Sequence, residues 1–156
     1  MQTLTLSNRQ RAVRFDLSWL RRVARLGLEK ACEISADGRF ALKELPEIEV
    51  AVVSDRVIAR VHEQFMNLPE PTDVITFEHG EIVVSAETAL SNAPLYGHCV
   101  EEELALYVIH GFLHLNGFED GTKREAARMH KVQGEILAGC LASAGSPRNR
   151  PAVPPQ

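Results

Sequence analysis

The stretch HGFLHLNGFEDGT (residues 110–122) carries two histidines four residues apart, His110 and His114, then Gly117, then two acids, Glu119 and Asp120. On a helix, a spacing of four puts both imidazoles on one face, one turn apart. There they can hold a single metal ion from a rigid support. Gly117 is an expected left-handed stop that turns the chain back, so that Glu119 or Asp120 faces the histidines. The candidate metal set is therefore His110 and His114 with Glu119 or Asp120 as the third ligand. A carboxylate oxygen binds zinc at about 2.0–2.2 Å. A two-histidine, one-carboxylate set also admits Fe(II) or Mn(II). A thermolysin-like peptidase needs a glutamate directly after the first histidine as general base. Gly111 stands there, which disfavours that class.

The element that must position the pair is a helix over 100–115, acidic in its first turn and apolar almost all round after it. Such a helix is buried on most sides, and two imidazoles buried in it require polar partners. Glu103, Tyr107, His110 and His114 fall on one face of it. Glu103 is expected to hydrogen-bond a ligand histidine and fix its tautomer. Gly111 lets another element or a substrate come close. His62, His79 and His98 are expected on the surface or in loops, with His98 near the cleft because it precedes the ligand helix.

Around this helix the pattern places a short strand at 2–6 and a helix over 17–34 with its apolar stripe at Leu20, Val23, Ala24, Gly27, Leu28 and Ala31. IEVAVVS (48–54) is β-branched with little polarity and suits a central strand. A helix over 56–66 ends at NLPEP, where two prolines break it. Strands at 73–78 and 81–85 join tightly through His79-Gly80. Residues 86–98 read as partly helical, interrupted at Pro94, and a last helix spans about 122–142. The expectation is one α+β domain over residues 1–145: a small mixed four-stranded sheet packed with about five helices. The proline-rich segment SPRNRPAVPPQ (146–156) is expected to be a disordered tail.

At 156 residues and 45% hydrophobic content, the chain can bury a proper core. No apolar run approaches the roughly 18–20 residues of a membrane span, and the first residues lack the apolar core of a secretory signal. Cys32, Cys99 and Cys140 are odd in number and form no CxxC, which reads as reduced thiols in a cytoplasmic protein. The net charge of −4 conceals segregation: +5 over residues 1–30, −13 over 31–121 and +4 over 122–156. A polyanion could be held by the basic ends, through Arg9, Arg11, Arg14, Arg21, Arg22 and Arg25 among others, beside a site built in the acidic middle.

HGFLHLNGFED resembles the metal motif of the YbeY family of bacterial endoribonucleases, His-Gly-x-Leu-His-Leu-x-Gly-Tyr-Asp-His. PTDVITF (71–77), GEIVVSAETA (80–89) and MHKVQGEIL (129–137) resemble further family motifs in the same order. The resemblance implies a zinc-dependent, single-strand-specific endoribonuclease with one Zn²⁺ per chain. It implies action in 3′-end maturation of small-subunit ribosomal RNA and in ribosome quality control, with that RNA and the small subunit as partners. On this reading Thr72 and Asp73 shape the cleft wall or assist through hydrogen bonds, a structural turn role being the alternative for Asp73. Two departures stand out. The family's third histidine falls on Asp120, so the resemblance makes Asp120 the third ligand beside His110 and His114, with Glu119 and His130 in reserve. An arginine the family uses near the active centre falls on Met66. No Lys or Arg lies between Arg60 and Lys123, and methionine cannot replace arginine at a phosphate. The missing arginine motivates one rival reading, a non-catalytic ribosome-associated RNA-binding factor. The acidic middle, poorly suited to a polyanion, motivates a second, a metal-dependent hydrolase of another substrate.

Overall fold

The computed structural model describes residues 2–148. Its elements run β1 (Thr3–Asn8), α1 (Leu17–Cys32), β2 (Glu47–Val53), α2 (Asp55–Met66), β3 (Val74–Phe77), β4 (Glu81–Ser85), α3 (Ala86–Asn92), α4 (Val100–Leu115) and α5 (Lys123–Ala144). Short 3-10 turns occupy Ala41–Glu44 and Ala93–Tyr96. The strands form one mixed sheet in the order β1-β2-β4-β3. β2 is parallel to both β1 and β4, whereas β3 runs antiparallel to β4. This is the α+β architecture with five α-helices that the periodicity implies.

β2 is central, and its unalternating sequence follows from burial on both faces. Ile48, Val50 and Val52 enter the larger core with α1, α4 and α5. Ala51 and Val53 face a smaller one, where Ile58 of α2 meets Ile75 and Val83. The β3–β4 hairpin turns at Gly80, where φ is +111° and an added Cβ would lie 2.6 Å from the Glu47 carbonyl oxygen. Only glycine tolerates both conditions.

α4 carries the core on its back. Leu104, Val108, Ile109, Phe112 and Leu113 are all fully buried, and each such side chain contributes about 1.5–3 kcal/mol. At Gly111 the close neighbour is β4: a Cβ there would meet the Ile82 side chain at 2.8–3.1 Å. That glycine admits a strand against the ligand helix. The end of α4 is tied down by Asn116, which is fully buried. Its Oδ1 accepts from the Leu42 amide at 3.1 Å, and its Nδ2 donates to the carbonyls of Ala31 and Ile34 at 2.8 and 2.7 Å. One side chain thus joins the ends of α1 and α4 to a 3-10 turn.

Several boundaries differ from the expected ones. α1 ends at Cys32 and β1 reaches Asn8. Residues 86–98 divide into α3 and a 3-10 turn that holds Pro94 near its start, where its missing N–H costs nothing. His62 is buried rather than exposed, with Nδ1 2.8 Å from the Glu70 carbonyl oxygen, which folds the proline loop back over α2. Of the expected tail, Arg148 donates its backbone N–H to the Asp16 carboxylate at 2.7 Å. Residues 149–156 lie outside the described residues.

Candidate metal centre

α4 presents His110 and His114 side by side, with Nε2 atoms 3.1 Å apart. Oδ2 of Asp120 lies 3.4 Å from the first and 3.5 Å from the second. A tetrahedral ion with bonds of about 2.0–2.2 Å sets its ligand atoms about 3.3–3.6 Å apart. The observed triangle is close to one face of such a tetrahedron. Among the described residues these three form the group of His, Cys, Asp and Glu side chains able to hold a metal ion.

The outer nitrogens decide what the inner ones offer. His114 Nδ1 lies 2.9 Å from the Phe118 carbonyl oxygen, which only accepts, so Nδ1 carries the proton. His110 Nδ1 lies 2.9 Å from Gln133 Oε1 of α5 and donates to it in the same way. In their neutral form both rings therefore aim Nε2 lone pairs at one point beside a carboxylate. Lone pairs so close repel unless a cation lies between them. The donor set fits a divalent metal. Burial holds His110 below the ordinary imidazole range, opposed by the Gln133 hydrogen bond and the Asp120 charge. A ligand nitrogen needs that neutral form.

The reach of the shorter Asp120 side chain is supplied by its loop. Gly117 turns the chain at φ +94°, with the Asp37 carboxyl 2.7–2.8 Å from where a Cβ would stand. Phe118 is then buried, and its N–H donates to the Leu113 carbonyl at 2.9 Å. Two residues beyond Asp120, Thr122 caps α5 in a reciprocal box with Glu125. The acid is thus fixed from both ends, and its side chain is 46% exposed. Glu119 lines the same cleft outside the triad. His130 is exposed on α5 and outside it too.

The triad opens into a cleft of about 450 Å³ lined also by Met66, Thr72, Asp73 and residues of β3. Asp73 has a structural duty: its Oδ1 accepts from the Val74 N–H at 2.8 Å and its carbonyl accepts from Ser85 N–H. Met66 stands in this lining, half-exposed, and no Lys or Arg is part of it. A larger cavity of about 940 Å³ lies away from the triad, beside Arg11, Arg14 and Glu101. The chemistry sits in the smaller one.

Glu103 is where the sequence reading needs correction. Its carboxylate accepts from Nδ1 of His98, at 3.0 Å, and not from a candidate ligand. The groups that fix the ligand tautomers are Gln133 and the Phe118 carbonyl. Gln133 follows Val132 on the buried stripe of α5, so only the docking of α5 on α4 reveals it. A backbone carbonyl leaves no signal in a sequence at all.

A family model described as Endoribonuclease YbeY matches residues 5–140. The chain is similar to the Endoribonuclease YbeY of Kineococcus radiotolerans, 32% identical over 137 residues (74% of this chain, 79% of the relative). It is 34% identical to that of Symbiobacterium thermophilum over 137 residues (77% and 83%). It is 34% identical to that of Elusimicrobium minutum over 122 residues (70% and 85%). The solution structure of a Thermotoga maritima protein covers 99% of both chains with a TM-score of 0.59 at 26% identity.

Proposed function

The chain belongs to the YbeY endoribonuclease family, and from that membership we propose that it is a zinc-dependent endoribonuclease. Its substrate is single-stranded ribosomal RNA, cleaved in 3′-end maturation and quality control of the small subunit in the cytoplasm. The observation that carries the reading is the triangle of His110 Nε2, His114 Nε2 and Asp120 Oδ2, with edges of 3.1, 3.4 and 3.5 Å. Such a set would hold one Zn²⁺.

When bound, the ion supplies Lewis acidity that polarises the phosphoryl group and acidifies an attacking water. The chain's own residues do the rest. Gln133 and the Phe118 carbonyl hold both ring tautomers, while Thr72 and Asp73 form the wall against which the RNA backbone lies. Two features set the rate. The anionic Asp120 would make a bound ion a weaker electrophile than a third neutral histidine would. The cleft also lacks the fixed cation that a guanidinium at position 66 would provide. Among the described residues no helix is long and apolar enough to cross a membrane.

The test is cleavage of a structured fragment of small-subunit ribosomal RNA by metal-loaded and chelated protein. Strand scission by the loaded form alone is the expected result. Tight RNA binding without scission in either form sinks the nuclease reading in favour of a non-catalytic ribosome factor. Turnover of small substrates without RNA affinity favours another hydrolase.

A further inference from the structure

A second lobe of about 420 Å³ adjoins the cleft and shares Asp73, Val74 and His110 with it. Its lining also includes His98, Glu103, Tyr107 and His130. Glu103 is 4% exposed, and Oε1 lies 3.0 Å from His98 Nδ1. Burying a carboxylate costs several kcal/mol unless it is paired and hydrogen-bonded. Here it stands against His98, whose own side chain is 27% exposed, and beside the Tyr107 hydroxyl. The carboxylate accepts, so Nδ1 carries a proton. Nε2 remains as the ring nitrogen without a protein partner among the described residues. A ring held at one nitrogen by a buried acid and free at the other is an oriented proton carrier.

The surroundings give that carrier a task, if the endoribonuclease reading above holds. Breaking a phosphodiester leaves negative charge on the departing ribose oxygen. Neither lobe has a Lys or Arg in its lining, and Asp73, Glu78 and Glu119 add negative charge. With no Lys or Arg there to neutralise the oxygen, a proton donor is what the chain's own side chains can supply beside the metal site. Tyr107 is a poor source, because burial raises its hydroxyl pKa and the oxygen already accepts from Asn92 Nδ2 at 3.0 Å. His130 is exposed on α5 and has no carboxylate holding its ring.

We propose that His98, oriented by the buried Glu103, is the general acid that protonates the leaving oxygen of the scissile phosphodiester. In this step a water oxygen bonds to phosphorus and its proton passes to solvent. The ester P–O bond breaks, and its electron pair stays on the departing ribose oxygen. That oxygen takes the proton from His98 Nε2, and the neutral ring regains a proton from solvent. His98 is then a catalytic residue and Glu103 a positioning residue.

A leaving-group substitution tests this. The cleavage position is mapped with wild-type protein, and an RNA is made in which the bridging oxygen that leaves is replaced by sulfur. A thiolate departs without needing a proton. His98→Gln should lower the single-turnover rate on all-oxygen RNA by about 10²–10⁴-fold. On the sulfur-bridged RNA the same variant should stay near the wild-type rate. Glu103→Gln should show the same pattern with a smaller loss. Elemental analysis should find undiminished zinc in both variants. His98→Asn repeats the comparison if the glutamine variant does not fold. Equal losses on the two RNAs, no loss on either, or loss of zinc from the His98 variants would overturn the assignment. A wild type that cleaves neither RNA fails earlier, at the endoribonuclease reading itself.

Discussion

The Nε2 atoms of His110 and His114 lie 3.1 Å apart, closer to each other than either is to Asp120. Because each ring donates through Nδ1 to a separate acceptor, neither is free to turn its other nitrogen inward. The pair is set by α4 and by what α4 packs on, and the acid is brought to it by a loop.

Ligation makes the simplest prediction. The protein should bind one divalent ion per chain, and His114→Ala should release it. Elemental analysis after gel filtration is the measurement. Stoichiometric metal in the variant would show that the ion is held elsewhere. Gln133→Leu, which removes the acceptor for His110 Nδ1–H, should weaken metal affinity by about 10–100-fold without abolishing it.

The two departures from the family pattern should separate when repaired. Asp120→His replaces a hard oxygen with a nitrogen better matched to zinc. Because the Asp120 side chain is 46% exposed, there is room for the ring, and metal affinity should rise. Met66→Arg adds a fixed positive charge in the cleft. Groups of that kind are worth on the order of 10²–10³ in rate, so turnover should rise with little change in metal affinity. Single-turnover cleavage by both variants and their combination reads this out. A Met66→Arg rate equal to wild type shows that position 66 does not reach the phosphate.

Gly111→Ala should be destabilising although alanine is the better helix former. The added methyl would sit 2.8 and 2.9 Å from two carbons of Ile82, and overpacking of this kind costs about 1–3 kcal/mol. Urea denaturation measures it. The double variant Gly111→Ala, Ile82→Val should recover part of the loss if the clash is with Ile82.

Asn116→Ala should cost about 2–4 kcal/mol, because it strands the buried Leu42 N–H and removes partners from two carbonyls. Asn116→Asp should also be destabilising, since a carboxylate cannot donate to the Ala31 and Ile34 oxygens. Wild-type stability in the aspartate variant would mean that those two bonds are dispensable.

Acid should weaken the metal-free protein through His110. Burial lowers its pKa in the folded state, while the unfolded chain takes up the proton near the ordinary value of about 6.5. The unfolded state therefore binds more protons as pH falls. This contribution to stability is fully present above about pH 6.5 and is lost as pH falls toward the lowered folded-state pKa. Urea midpoints at pH 8, 7, 6 and 5 should decline on the acid side, with a shallower decline in His110→Asn. Parallel declines in the two proteins would remove His110 as the cause.

What could be read from the sequence is what helical geometry and chain punctuation dictate. His110 and His114 share a face because the α-helix repeats near four, and Gly117 announces the turn that delivers Asp120. β2 is legible as central because its apolar run leaves no polar face. What stayed hidden depends on which elements meet. Glu103 lies on the same helix face as His110, yet its partner is His98, which the turn before α4 folds back onto it. Gln133 is 23 residues from the histidine it holds. Asn116 joins segments 74 to 85 residues away. His62 looked like a surface residue because the carbonyl that buries it belongs to a loop of no fixed pattern.

The helix that holds both histidines is also the most buried of the described helices, with Gly111 seated on Ile82 and Asn116 knotting its end. Backbone amides in such a helix should exchange chiefly through global unfolding. A metal ion therefore meets a finished socket, and little of its binding free energy goes into ordering the chain. Chelation should leave a folded protein with slow-exchanging α4 amides, unlike small zinc modules that melt without their ion. The stabilisation on loading is then set by occupancy alone, about 2.7 kcal/mol at a free concentration one hundred times Kd.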